Sequence, residues 1–240
     1  TTVKEAITLQ KMADEKKRVL LVDHTFLYTP AVRKMKEIIE RGELAEIRYL
    51  DSERINLGLI QPDVNVVYDL ATHDIAIFNY LLDAAPVAVN AVGASHLTKR
   101  GKNPIEEIAY LNLHYPKNIL AHLRVSWLSP VKMRKMLVGG SRKMILYDDV
   151  EPIEKVKIYD HGVELDFEKD TTFEPIYRSG DVAIPHLSNF EALQTEAEHF
   201  IQCIHERQYP LTDAKNGIAV MKVLEAANTS MRKNGKLIHI

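Results

Sequence analysis

The apolar positions at the start of the chain change from helical to strand-like spacing. Thr2 and Glu5 have the spacing of a capping box, which predicts a helix over residues 2–17. Residues 18–22 then form a short, branched, apolar run that is typical of a buried strand. A helix followed by a buried strand indicates a βαβ unit whose first strand is missing.

A helix, a strand and a second helix are predicted next. Pro30 suits the first turn of a helix and Gly42 suits its end, so we expect a helix over residues 30–41. Residues 45–56 have strand character, and residues 66–82 read as a mostly apolar helix.

From residue 87 onwards the spacing is strand-like. Turn residues at 115–118 and 160–162 separate neighbouring candidates, which predicts hairpins and a largely antiparallel sheet. The pair Gly139 and Gly140 is interpreted as a hairpin turn or a bulge, because a strand rather than a helix follows it. The predicted strands are 87–97, 106–115, 118–128, 132–139, 143–148, 154–160 and 163–168.

The last third begins with a polar, irregular stretch, residues 170–186, which predicts a long loop. Two helices follow, near 188–207 and 213–233, and a strand near 236–240 ends the chain. The expected core-facing positions of the two helices are Phe190, Leu193, Ala197, Phe200 and Ile204, then Ile218, Met221, Leu224 and Met231. The fold class is therefore α/β (α+β), with a large, open, mostly antiparallel sheet and helices on one face.

Composition narrows the function classes. The chain has 240 residues, and its 31 basic and 33 acidic side chains give a net charge of -2, which offers no argument for nucleic acid or an anionic membrane. No apolar run is long enough to span a membrane. Cys203 is the single cysteine and is interpreted as a packing residue, so no internal disulfide can form and a cytoplasmic setting is expected.

The chemistry most evident in the sequence lies on the helix over residues 66–82. Asp69 and His73 are four residues apart and should share a helix face, where a carboxylate can orient an imidazole that acts as a general base. The same pair is also typical of a purely structural interaction. A metal site with Asp74 is the third interpretation, but no second His or Cys cluster supports it, so no metal is expected.

Other polar and aromatic residues are candidate substrate contacts. Tyr28 follows the first predicted strand, where α/β sheets place ligands. Arg54 and Asn56 share a face of their strand, and Trp127, the single tryptophan, is a candidate for stacking on a sugar as well as for core packing. None of the 10 glycines forms a G-x-G-x-x-G fingerprint.

Two segments, residues 24–34 (HTFLYTPAVRK) and 68–74 (YDLATHD), resemble the junction segment and the D-x-x-x-H helix of the Gfo/Idh/MocA oxidoreductases. Four more, residues 56–59 (NLGL), 62–66 (PDVNV), 127–130 (WLSP) and 210–213 (PLTD), are similar to one branch of that family. Members of this branch include dehydrogenases that oxidise the sugar 3-position of UDP-N-acetylglucosamine or its uronic acid. The similarity extends over nearly the whole chain.

The resemblance implies a two-domain enzyme that binds NAD or NADP in a Rossmann domain and a sugar in a C-terminal domain. Residues 1–23 would be the helix–strand remnant of the Rossmann domain, and residues 24–240 the substrate-binding and oligomerisation domain. His24 and Thr25 would contact the cofactor, although Asp23 stands where the family usually has glycine. The family's glycine fingerprint, acidic ribose-binding residue and catalytic lysine precede Thr1, so we expect this chain alone to bind no cofactor.

The resemblance implies that the intact enzyme, a dimer or tetramer, oxidises a sugar or nucleotide-sugar hydroxyl by hydride transfer. His73 would be the general base, Asp69 would orient it, and Tyr28, Arg54, Asn56 and Trp127 would contact the substrate. The alternative is a catalytically silent module for substrate binding and self-association. A ring-opening or lyase reaction through transient oxidation is also compatible with the sequence.

Overall fold

The computed structural model describes residues 2–98, 104–165 and 175–240. These residues form α-helices, strands and three short helical turns, which are Thr25–Tyr28, the π-helical turn Val67–Ala71 and Pro116–Asn118. The α-helices are α1 (Val3–Glu15), α2 (Pro30–Glu40), α3 (Thr72–Leu82), α4 (Ala192–Glu206) and α5 (Ala214–Arg232). The strands are β1 (Ile47–Leu57), β2 (Ala88–Ala94), β3 (Ile108–His114), β4 (Leu120–Ser126), β5 (Leu128–Gly140), β6 (Met144–Asp148), β7 (Val156–Tyr159), β8 (Gly162–Leu165), β9 (Pro175–Arg178), β10 (Val182–Ala183) and β11 (Ile238–His239).

One nine-stranded sheet organises the chain, in the order β10-β7-β6-β5-β1-β4-β3-β2-β11. Its strand pairs are antiparallel except for β1 and β4, which run parallel in the middle. Gly139 and Gly140 are the last residues of β5, where its pairing with β1 has a register shift, and the turn to β6 lies at residues 141–143. The interpretation of this pair as the turn itself is therefore wrong. The mixed α/β architecture with a large, mostly antiparallel sheet is therefore confirmed.

The sheet buries one face more completely than the other. On β3, for example, Ala109, Leu111 and Leu113 are buried, whereas Tyr110 between them is exposed. Apolar side chains of α2, α3 and α5 pack on the buried face and complete a continuous core. This arrangement follows from the period of two in a strand, because alternate residues point to opposite faces.

The N-terminal helix forms with the predicted capping box. The backbone N–H of Glu5 donates to Thr2 Oγ at 3.1 Å, and the Glu5 carboxylate accepts from the Thr2 backbone at 2.9 Å. The strand predicted over 18–22 is wrong, because Leu21 makes only an isolated bridge to Asp213. A strand needs consecutive partners, and this segment lies instead beside the N-terminal turns of α5.

The segment 156–186 also differs from the prediction. The turn at 160–162 does not join paired strands: β8 pairs with β9 in a separate two-stranded sheet, and β10 pairs with β7. The described part of the predicted loop thus contains β9 and β10. Residues 166–168 of the predicted strand and 170–174 of the predicted loop lie outside the described residues.

The last two helices differ in how their apolar positions are covered. Helix α5 begins at its predicted N-cap, Asp213, and buries Val220, Val223 and Leu224. The predicted core stripe of α4 is wrong: Phe190, Leu193, Ala197 and Ile204 are exposed, and Phe200 is half-buried. The buried residues of α4 are Glu196 and Cys203, because the helix packs its other side on the Thr25–Tyr28 turn. Within the described ranges no helix is both long and apolar enough to cross a membrane.

Candidate active site

His73 lies near the start of α3, directly after the π-helical turn. The residue is half-buried, and its Nδ1 atom is buried without a hydrogen-bond partner. The ring of Phe26 lies 4.9 Å from the imidazole, centroid to centroid. An imidazole with an unused nitrogen at a partly open position is able to exchange a proton with a ligand.

Asp69 lies near His73 but does not hydrogen bond it. Its Oδ2 atom accepts from the indole Nε1 of Trp127 at 2.7 Å, and its Oδ1 atom makes no hydrogen bond to a described residue. The predicted α-helix over 66–82 begins instead with a π-helical turn at Val67–Ala71. Asp69 lies within this turn and His73 follows it, and the Asp69 carboxylate is hydrogen-bonded to Trp127 instead of to His73.

A buried ion pair between Arg54 and Asp74 lies beside His73. Arg54 on β1 contacts Asp74 on α3 through Nε and Oδ2 at 2.6 Å, and both side chains are almost wholly buried. Ser52 donates a further hydrogen bond to Asp74 at 2.9 Å. The Arg54 guanidinium also lies 4.4 Å from the centre of the Phe26 ring.

The charges around His73 favour its neutral form. Burial lowers the pKa of His73 first, and the Arg54 guanidinium lowers it further, whereas Asp74 and Asp69 oppose the shift less strongly. A ring whose pKa lies below 6.5 is mostly uncharged at neutral pH. His73 is therefore in the state that a general base needs, although Asp69 is not its hydrogen-bond partner.

A second group of polar side chains, formed by Asp23, His24, Thr25 and Glu196, lies beside His73. His24 is 2% exposed, neither of its ring nitrogens has a partner, and burial lowers its pKa to about 4. Thr25 Oγ donates to Glu196 at 2.9 Å and also contacts Asp23. Burial raises the pKa of Glu196, whereas the hydrogen bond from Thr25 lowers that of Asp23, so the two carboxyls hold protons unequally.

An open, mostly apolar cavity of about 440 Å³ leads to this second group. It lies between α1, residues 20–24 and the first turns of α5, with Asp23, His24 and Thr72 among its lining residues. His24, a predicted cofactor contact, therefore lines an open space. His73 lies close enough to His24 to help lower the pKa of His24, after the larger effect of burial.

The predicted substrate contacts are less accessible than the sequence suggested. Tyr28 is 0% exposed and its hydroxyl is 3.3 Å from Thr212 Oγ, Trp127 is 1% exposed, and Arg54 is held by Asp74. These three side chains lie behind the site and not on an open surface. Asn56 is half-buried, and its amide reaches only the neighbouring carbonyl of Leu57 at 3.4 Å.

Two features of the site escaped the sequence analysis. Asp74 was considered only as a metal ligand, whereas it is the partner of Arg54; an acid within a mostly apolar helix was the available signal. Glu196 was missed because it lies at the edge of the apolar stripe that was expected to face the core. Among the described residues no group of three or more His, Cys, Asp or Glu side chains has the geometry to hold a metal ion.

Comparisons with known proteins agree with this architecture. The family model of the GFO/IDH/MocA C-terminal domain matches residues 32–146. UDP-N-acetylglucosamine 3-dehydrogenase from Acidithiobacillus ferrooxidans is 26% identical over 238 residues, which cover 93% of this chain and 64% of the relative. D-xylose 1-dehydrogenase [NADP(+)] from Haloarcula marismortui is 23% identical over 245 residues, which cover 95% and 63%.

Solved structures share the fold. The structure of the Acidithiobacillus enzyme superposes with a TM-score of 0.75 at 22% identity, covering 97% of this chain and 68% of that one. An inositol dehydrogenase homologue from Azotobacter vinelandii, complexed with NADH and myo-inositol, gives a TM-score of 0.78 at 18% identity, covering 100% and 69%. The chain thus spans just under two thirds of the length of the curated relatives it matches. Residues 32–146 of this chain are thus similar to the C-terminal domain of the GFO/IDH/MocA oxidoreductases.

Proposed function

We propose that this chain is the substrate-binding part of an NAD(P)-dependent oxidoreductase that oxidises a hydroxyl of a sugar or nucleotide sugar, with His73 as the general base. The observation that carries the proposal is the half-buried His73, kept neutral by burial and by Arg54, with an unpaired oxygen of Asp69 nearby. The relatives named above act on a nucleotide sugar and on xylose, which supports this substrate class.

We also propose the domain division at residue 23. Helix α1 has no buried residue and lies on α5, and residues 18–22 make a single bridge to the rest of the chain. Leu9 and Met12 on α1 are exposed, which suits a segment that packs against a further, dinucleotide-binding domain.

The group formed by Asp23, His24, Thr25 and Glu196 suits an uncharged part of the cofactor better than a phosphate. His24 has two buried nitrogens without partners, which suit a ligand with both donors and acceptors, such as an amide. Asp23 and Glu196 would repel a phosphate at the same place. We therefore assign His24 and Thr25 to the nicotinamide end, with Thr25 already tied to the two carboxyls.

In this mechanism His73 removes the proton of the substrate hydroxyl as the hydrogen on the same carbon leaves with its electron pair. A bound NAD(P)⁺ supplies the hydride acceptor. The carbon–oxygen bond becomes a carbonyl, and the proton stays on the imidazole. The free Asp69 oxygen accepts a hydrogen bond from a substrate hydroxyl and orients the sugar. Acid–base catalysis of this kind contributes about 10²- to 10⁴-fold, or about 3–5 kcal/mol of barrier.

The test is turnover of the enzyme that contains this chain together with a dinucleotide-binding domain. His73→Ala should lower kcat by about 10²- to 10⁴-fold while NAD(P)H binding, measured by fluorescence titration, is unchanged. His205→Ala is the matched control, because His205 is exposed on α4. Near-normal turnover of His73→Ala would rule out the base assignment.

The alternative function, a silent module for substrate binding and self-association, is favoured by the exposed apolar positions of α4. Titration of the 240-residue chain with NADH tests whether this chain holds a cofactor by itself. The proposal expects no stoichiometric binding by this chain alone, because His24 and Thr25 supply only one end of a cofactor site. Tight stoichiometric binding would show that the chain holds the cofactor by itself.

A further inference from the structure

Trp127 is held in one position by its surroundings. Its backbone N–H donates to Glu107 O at 2.9 Å, and its carbonyl accepts from the backbone N–H of Gly58 at 3.0 Å. A Cβ added at Gly58 would lie 2.3 Å from Trp127 Cδ1, so only glycine allows the two segments to approach this closely. The indole is thus fixed by both its backbone and its neighbour.

The direction of the indole N–H determines where the Asp69 carboxylate lies. An indole N–H only donates, and it usually finds a partner when the ring is buried. Here that partner is Asp69 Oδ2 at 2.7 Å, and hydrogen bonds to an ionised acceptor are short and strong. The π-helical turn at Val67–Ala71 places Asp69 where Trp127 reaches it.

The position of the Asp69 carboxylate matters for the protonation of His73. A carboxylate hydrogen-bonded to His73 would stabilise the imidazolium and keep the proton on the ring. Asp69 acts on His73 and has no cation partner among the described residues, whereas Asp74 is already bonded to Arg54. The charged or titratable groups that act on His73 or lie beside it are Asp69 and Asp74 from its own segment, Arg54 from β1, Arg134 from β5, and Asp23 and His24 from the loop before α2.

We propose that Trp127 is a positioning residue whose indole N–H holds the Asp69 carboxylate away from the His73 ring, so that the acid and the base meet a substrate separately. This inference deepens the proposed function and rests on it for its catalytic meaning. The contact itself exists in the chain without cofactor or substrate, so it can be measured without turnover.

The test uses this chain, labelled with ¹⁵N, and an NMR pH titration of His73. Trp127→Phe removes the N–H but retains an aromatic ring, and we expect the pKa of His73 to rise as the released carboxylate turns towards it. In the Asp69→Asn background the same substitution should leave the pKa of His73 unchanged, because no charge is released. Tyr115→Phe is the matched control: it removes another buried donor to α3, the hydroxyl bonded to Asn79 at 2.8 Å.

Two results would overturn the inference: an unchanged pKa of His73 in folded Trp127→Phe, or an equal rise in the Asp69→Asn background. If Trp127→Phe does not fold, Asp69→Ala replaces it. Trp127 is the single tryptophan, so its indole N–H gives one signal. Asp69→Ala should shift that signal and accelerate its exchange with solvent; an unmoved, equally protected signal would contradict the contact. None of these outcomes depends on whether His73→Ala loses turnover.

Discussion

Helices α3 and α4 have similar apolar patterns but different surroundings. Both segments carry apolar residues at helical spacing, and both were expected to face the core. In α3 the residues Ile75, Phe78 and Leu81 are buried between α2, α5 and the sheet. On the corresponding side of α4, Leu193 is 56% exposed, and the buried side of this helix carries Glu196.

The difference shows that an apolar period identifies a helix without identifying what covers it. Each helix also buries one acid, and the partners of these acids differ. Asp74 of α3 has a cation partner, Arg54, whereas Glu196 of α4 has none among the described residues, accepts from the Thr25 hydroxyl and has a pKa raised by burial. The ion pair stabilises the buried side of the site, and Glu196 belongs to the group of side chains proposed to contact a ligand.

The largest expected effect concerns the ion pair between Arg54 on β1 and Asp74 on α3. Arg54→Met leaves Asp74 as a buried charge, so the free energy of unfolding in urea should fall by about 3–5 kcal/mol. The double variant Arg54→Met/Asp74→Leu removes both charges and should recover most of the loss. If the double variant is as unstable as the single one, packing rather than charge explains the effect.

A matched pair of leucines tests the difference in burial directly. Leu81→Ala on α3 should cost about 2–5 kcal/mol, because the side chain is 1% exposed and leaves a cavity. Leu193→Ala on α4 should change the unfolding free energy by less than about 0.5 kcal/mol. Equal losses in urea unfolding would mean that the α4 stripe is covered in solution, which analytical ultracentrifugation would then trace to a second copy.

The smallest expected effect is the pH dependence caused by His24 beside α4. Burial lowers its pKa from 6.5 to about 4, so the unfolded chain takes up a proton more readily than the folded one. The stability contributed by neutral His24 is present above pH 6.5 and is lost as the pH falls towards 4, by up to about 3 kcal/mol. His24→Phe should flatten this slope in urea unfolding, whereas His205→Ala should keep it; an unchanged slope in His24→Phe would contradict the account.

Most of the fold followed from local patterns. The capping box at Thr2 and the helix from Pro30 formed as expected, because each depends on residues near in sequence. The failures involve distant partners. Residues 18–22 look like a strand, but a strand requires neighbours, and the pairing of β8 with β9 cannot be deduced from their turn residues.

The site was predictable in its residues but not in its contacts. The sequence singled out Asp69, His73, Arg54 and Trp127. In the structure Asp69 is bonded to Trp127 and Arg54 to Asp74, whereas His73 Nδ1 has no partner in the part of the chain that the structure describes. These contacts join residues that are distant in sequence, and the spacing within one helix carries no signal for them.

The central claim is that His73 is a neutral base at physiological pH, and an NMR titration of the wild-type chain tests it most directly. With the His73 ring signals assigned by comparison with His73→Ala, the account predicts a pKa below 6.5, because burial and Arg54 both disfavour the imidazolium. A pKa above 6.5 would contradict it, since His73 would then already carry the proton that a general base has to accept.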